Sequence, residues 1–245
     1  MKLSIITVTF NNAEGLSRTI KSVASQTCKN FEYIIVDGKS TDNTANIIKE
    51  NKAHISQWVS EPDTGIYNAM NKAVKMATGD YCLFLNAGDE LYSTTTIEEI
   101  YNLDFNEDFV EGREYDAGIK RLRSRPQKPT LAFYLFRGNN RHQSSLIKRT
   151  MLLQYPYDEN LRIASDLKFN IESIIIRNCS YRCIDVIIAN YEGGGISRTV
   201  NHQDERDVIF NGLFPQRVLE DYKNFSFIYT SPFKHFMKFL HKTRK

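Results

Sequence analysis

Four places in the first 90 residues set polar or acidic side chains directly after short apolar runs: Thr9 with Asn11, Asp37, Glu61 with Asp63, and Asn86 with Asp89. A carboxylate so placed suits an oxygen-ligand site for a hard divalent cation beside phosphates. It also suits acceptance of a hydrogen bond from a base imide or ribose hydroxyl. For Asp89, next to Gly88, cation binding competes with an ordinary Gly-Asp turn. For Asp37, followed by GKSTDNT, a base or ribose contact competes with a strand-to-helix turn in which Ser40 or Thr41 caps the helix. The string EPDTGIYNAMNKA from Glu61 puts Pro62 and Gly65 in a tight loop whose following helix N-terminus could face a phosphate, or could simply be a loop. Asp166 stands at the start of a helix, where it could serve as a base or merely favour the helix dipole.

The elements that must hold these residues follow from the apolar spacing. Leu3 to Thr9 and Phe31 to Val36 read as buried strands, Ile55 to Ser60 and Tyr81 to Leu85 as two more. Between them Ala13 to Gln26, with Leu16, Ile20 and Val23, Asp42 to Lys52, and Ile66 to Met76, with Ala69, Met70, Ala73 and Val74, carry helical spacing. Strands alternating with helices predict an α/β fold with a mostly parallel sheet and helices on both faces. Such sheets bind ligands at the carboxyl ends of their strands, where the polar residues collect. Beyond Asp89 the pattern predicts helices at Thr95–Tyr101, Asp166–Ile176 and Gln203–Tyr222. It also predicts strands at Phe109–Gly112, Ser144–Ile147, Tyr181–Asp185 and Ile187–Tyr191.

The chain has 245 residues, 41% hydrophobic and 25% charged, an ordinary composition for a globular protein. A net charge of +3 is too low for a dedicated nucleic-acid binder. Four cysteines are few, which suggests reduced thiols and a cytoplasmic compartment. Neither a signal peptide nor the run of roughly 20 apolar residues needed for a transmembrane helix is expected.

Order and spacing then join the pieces. LSIITVTFNN, YIIVDGKSTDNT, SEPDTGIYNAMNK and TGDYCLFLNAGD resemble successive motifs of the family 2 inverting glycosyltransferases. The resemblance continues more thinly in HQSSLIKR, YDENLRIASD and YEGGGIS. It implies the GT-A fold, and its nearest subgroup builds bacterial capsule, exopolysaccharide or lipopolysaccharide units. By the same resemblance Val8, Thr9 and Phe10 wrap the nucleobase, Asp37 binds base or ribose, and Asp63 lies in a loop over the nucleotide. Asn86 to Asp89 fill the segment commonly written DxDD. Here Asn86 stands for the first aspartate and Gly88 for the second, so only Asp89 is left to bind Mg²⁺ or Mn²⁺, with Asn86 touching ribose or phosphate. Weaker metal dependence is expected of such a site. His142 and Gln143 match a pair lining the donor or acceptor pocket, although a lone histidine is also common as a structural residue. Asp166 matches the aspartate that takes the acceptor proton. The glycines Gly193 to Gly195 have no catalytic role on this reading.

The implied activity is transfer of a sugar from a nucleotide diphosphate, UDP by preference, to a hydroxyl of a lipid-linked or growing glycan. A sugar nucleotidyltransferase would carry a glycine-rich basic phosphate loop after the first strand, which FNNAEGLSR does not supply. The thinned acidic motif also leaves room for a non-catalytic nucleotide-sugar sensor or scaffold in a polysaccharide assembly complex. The expected organisation is one GT-A domain over residues 1–222, with a donor half to 90 and an acceptor half from 91, followed by a basic tail, 223–245. In that tail Phe233, Phe236, Met237 and Leu240 recur at helical spacing among lysines. This suits a helix lying peripherally on the inner face of an anionic membrane, or one docked on the protein itself.

Overall fold

The computed structural model describes residues 1–123, 125–136, 138–191 and 203–230, the last five as backbone only. The first half alternates as expected: β1 (Leu3–Thr9), α1 (Ala13–Ala24), β2 (Phe31–Asp37), α2 (Thr44–Glu50), β3 (Gln57–Ser60), α3 (Ile66–Met76) and β4 (Tyr81–Phe84). There follow β5 (Glu90–Leu91), α4 (Thr96–Tyr101), β6 (Phe109–Asp116), β7 (Arg121–Leu122), α5 (Leu131–Phe136), β8 (Ser145–Lys148) and α6 (Arg149–Gln154). The last elements are α7 (Ser165–Asn170), a π-helical turn (Ile171–Ile176), β9 (Tyr181–Tyr191), α8 (Gln203–Leu213) and α9 (Gln216–Thr230).

Among the described residues nine strands join one sheet in the order β3-β2-β1-β4-β8-β6-β9-β5, with β7 paired to β6. The first four are parallel neighbours, whereas β8 runs antiparallel to both β4 and β6. The sheet is thus parallel where the donor motifs lie and mixed beyond. Both faces are covered: Ile6, Val8, Ile34 and Val36 pack against α3, while Leu3, Ile5, Tyr33 and Ile35 pack with Leu16 and Ile20 of α1. Burial on both faces explains why these strands read as unbroken apolar runs.

Differences from expectation lie in the second half. Tyr181–Tyr191 is one strand and not two, because Asp185 is a solvent-facing position within it, paired to Arg113 at 3.1 Å. The helix expected over 203–222 is broken by Pro215, which lacks an N–H and stands just before the first residue of α9. Helices α5 and α6 have six residues each, too short to show a period. The helix begun by Asp166 widens into a π turn after Asn170. Helix α9 runs through residue 222 to Thr230; Gly193 to Gly195 and the apolar positions of the tail lie outside the described residues. All four cysteines are free, and burial pushes the Cys82 thiol up to about 12, an inert core position. Among the described residues no helix is long and apolar enough to cross a membrane.

Candidate active site

The polar residues that end β1, β2, β3 and β4 meet on one rim because the four strands are in parallel register, with Thr9 beside Asp37 and Asp37 beside Ser60. Two asparagines stitch the turns above them. Asn11, with φ of 48°, accepts from Thr41 N at 2.8 Å, a left-handed conformation that asparagine tolerates. Asn12 donates to Ala87 O at 3.0 Å while its Oδ1 caps α1 through Gly15 N at 3.1 Å.

Asp37 is fully buried, and both oxygens accept hydrogen bonds within the chain, from Ser40 N, Ser40 Oγ and, at 2.6 Å, Ser60 Oγ. Asp63 is placed differently. Its Oδ1 accepts from Gly65 N at 3.0 Å, and its Oδ2 occupies the space above Gly38 where a side chain would stand, 2.5 Å from an ideal Cβ. The Phe10 ring approaches the same point to 3.2 Å and is 62% exposed. Phe10, Gly38 and Asp63 therefore line one nook. Burial pushes the Asp63 carboxyl up, with the Asp37 charge adding and Gly65 N–H and Lys72 opposing. Val8 points into the core instead, and Thr9 keeps a buried hydroxyl without a hydrogen-bond partner.

The turn after β4 is closed by Asp89 N donating to Asn86 O at 2.9 Å. Gly88 has φ of 108°, a conformation that L side chains rarely adopt, so the glycine of this depleted motif has a backbone reason. Thr19 of α1 fixes the turn from behind, accepting from Gly88 N and donating to Asp89 O at 2.7 Å. Asp89 is 8% exposed. Among the described residues no three His, Cys, Asp or Glu side chains are grouped to hold a metal. A donor set of one carboxylate fits a cation held chiefly by phosphates, as Mg²⁺ commonly is.

Asn86, His142 and Asp166, which lie far apart in sequence, come together. Asn86 Nδ2 is 3.0 Å from His142 Nε2, and His142 Nδ1 is 3.6 Å from Asp166 Oδ2. Both the imidazole and the carboxylate are 18% exposed. Gln143, beside His142, is buried with its Oε1 unpartnered, as is the Oδ1 of Asn86. Both oxygens are shut off from the surface and lack a donor, a costly state for a buried acceptor.

Three residues that sequence reasoning did not single out complete the site. Tyr67 Oη lies 3.2 Å from Asp166 Oδ1 and 2.6 Å from Ile163 O; burial and the Asp166 charge push its phenol upward. Glu205 of α8 accepts from Arg162 N, Ile163 N and Ala164 N at 2.6, 2.9 and 2.8 Å, which holds the loop that opens α7. Glu114 of β6 is 3% exposed with Arg123 Nε at 3.2 Å; burial raises its carboxyl against the pull of Arg141, Arg123 and His142. Tyr67 was visible within GIYNAMNK, but Glu205 acts across 40 residues of chain and leaves no local signal. Aromatic rings press α7 onto α3 and β4: Tyr157 lies 5.4, 5.7 and 5.1 Å from Tyr67, Phe84 and Phe169.

The family described as Glycosyl transferase family 2 matches residues 4–157. A PGL/p-HBAD biosynthesis glycosyltransferase of Mycobacterium bovis is 34% identical over 209 residues, covering 80% of this chain and 79% of that one. The poly(ribitol-phosphate) beta-N-acetylglucosaminyltransferase TarP of Staphylococcus aureus is 37% identical over a shorter stretch of 119 residues, 46% of this chain and 36% of that one. In fold, S. aureus TarS in complex with UDP-GlcNAc superposes with a TM-score of 0.66 at 18% identity. The match covers 82% of this chain and 62% of that one, so the chain spans less than two thirds of the TarS length. Glucosyl-3-phosphoglycerate synthase of Mycobacterium tuberculosis, in complex with Mn²⁺, UDP and glucosyl-3-phosphoglycerate, gives a TM-score of 0.59 at 11% identity over 86% of this chain and 79% of that one. With its GT-A architecture and a matched segment that runs from β1 past β8, this chain belongs to the family 2 glycosyltransferases.

Proposed function

We propose that the chain transfers a sugar from a UDP-sugar to a hydroxyl of a lipid-linked or growing surface glycan, with inversion at the anomeric carbon. The observation that carries this reading is the contact of the donor-strand end with the Asp166 carboxylate through His142, over 3.0 and 3.6 Å. Phe10, exposed at the rim, stacks on the base. Asp166 takes the acceptor proton as the new C–O bond forms and the anomeric bond to the diphosphate breaks, so that the nucleotide diphosphate leaves on the opposite side. Leu167 N at 2.8 Å holds Oδ1 of that base in place, with Tyr67 Oη beside it at 3.2 Å. A divalent cation, Mg²⁺ or Mn²⁺, held by the phosphates and Asp89, would neutralise charge on the leaving group. The basic tail would bring the enzyme to a lipid-linked acceptor at the inner membrane face.

Asp166→Asn tests the assignment. It should lower kcat by about 10²–10⁴, the range for loss of a general base, and leave UDP affinity within about twofold. Turnover that survives the substitution would remove the base from Asp166.

A further inference from the structure

The depleted acidic motif leaves a question that the geometry answers: why an amide stands at position 86. Asn86 makes its side-chain contact with His142, Nδ2 to Nε2 at 3.0 Å. An amide nitrogen only donates, so the Nε2 it meets must be the unprotonated nitrogen of a neutral ring. The ring proton then sits on Nδ1, the atom turned toward Asp166 Oδ2 at 3.6 Å. The opposite amide orientation would require a proton on Nε2. In a neutral ring it would set the Nδ1 lone pair against a carboxylate in a site only 18% exposed, a repulsive pairing of two acceptors.

We propose that Asn86 is a positioning residue for the base: its amide fixes the His142 proton on Nδ1, and the N–H so placed orients the Asp166 carboxylate. Leu167 N donates to Oδ1 at 2.8 Å, Tyr67 Oη lies 3.2 Å from the same oxygen, and the His142 Nδ1–H faces Oδ2 from 3.6 Å, where it acts electrostatically and not as a hydrogen bond. The substitution in the motif becomes intelligible. An aspartate at 86 only accepts, so it would draw a proton onto Nε2. The result would be a repulsive Nδ1 facing Asp166 or a cation clamped between two carboxylates, which would hold Asp166 as a salt-bridge partner and weaken it as a base. Asn86 thus gives up a second carboxylate on the donor side for control of the proton on the acceptor side.

The proposal rests on the reading of Asp166 as base, but the proton position it asserts is measured on the full chain without substrate. In uniformly ¹⁵N-labelled protein at neutral pH, long-range ¹H–¹⁵N correlation distinguishes protonated from unprotonated ring nitrogens; His142→Gln identifies the ring among the five histidines. The expected result is protonated Nδ1 with unprotonated Nε2 in the native chain. In Asn86→Asp, Nε2 should move to the protonated range, and in Asn86→Ala the two tautomers should mix. A native ring with its proton on Nε2, or on both nitrogens, would overturn the proposal. So would a nitrogen pattern that both Asn86 variants leave unchanged. Should the aspartate variant not fold, the native spectrum and the alanine variant decide alone.

Discussion

At the scale of single residues, the two rim aspartates are placed in ways their positions in sequence do not show. Asp37 has spent its acceptors on Ser40 and Ser60, whereas Asp63 holds one oxygen in the nook beneath Phe10. A carboxylate accepts the N3–H of uracil, while cytosine offers an acceptor at that edge. An asparagine can serve either base. Asp63→Asn should therefore narrow the preference for UDP over CDP by about tenfold, the worth of one hydrogen bond to a charged group. Calorimetric titration with both nucleotides reads the ratio; an unchanged ratio would take base recognition away from Asp63. Asp37 drew attention for this contact because it ends a strand, is followed by the small and hydroxyl residues of GKSTDNT, and matches the family's base- or ribose-binding aspartate. The direction in which a strand-end carboxylate turns depends on Ser60, a neighbour set by pairing with β3 and invisible in local spacing.

At the scale of elements, the donor half was legible throughout and the acceptor half in part, with α4, β8 and the start of α7 within a residue of expectation. β1, α3 and β4 appear within a residue of where the apolar runs place them, because burial on both faces leaves an unmistakable pattern. The second half contains six-residue helices and a strand crossed by a bulge, in which no period has room to develop. Residue types at Asp166 and His142 drew attention to both. Their meeting with Asn86 required β8 to run antiparallel beside β4, a pairing that no motif announces. The loop before α7 depends on α8 through Glu205, whose charged acceptor serves three backbone N–H groups. Glu205→Ala should cost about 2–4 kcal/mol, for hydrogen bonds to a charged group and the donors left unpaired. Because the loss falls on the 162–164 loop, hydrogen exchange should rise there and kcat should fall, while UDP affinity stays within about twofold. Equal loss of UDP affinity and kcat would show that the staple serves the whole fold and not the base.

At the scale of the whole molecule, a family 2 chain with a single candidate carboxylate for a cation should bind nucleotide with a modest metal requirement. At a UDP concentration about 100 times Kd, binding contributes about 2.7 kcal/mol, which for a chain of this size raises Tm by about 5–10 °C. Differential scanning fluorimetry with UDP-sugars, with and without Mn²⁺, should show most of that shift without the metal and the remainder with it. Asp89→Ala should abolish only the metal-dependent part; a shift wholly dependent on Mn²⁺ would contradict the weak-dependence reading. The same experiment ranks UDP-glucose, UDP-galactose and UDP-GlcNAc as donors. The Glu205 staple has one more consequence, for time and not for space. The strands of the donor half are made by residue 89, but the loop before Asp166 is not pinned until residue 205 has left the ribosome. At about 5–20 residues per second that interval is on the order of ten seconds. During it the nascent chain has the strands of the donor half without the staple on the 162–164 loop.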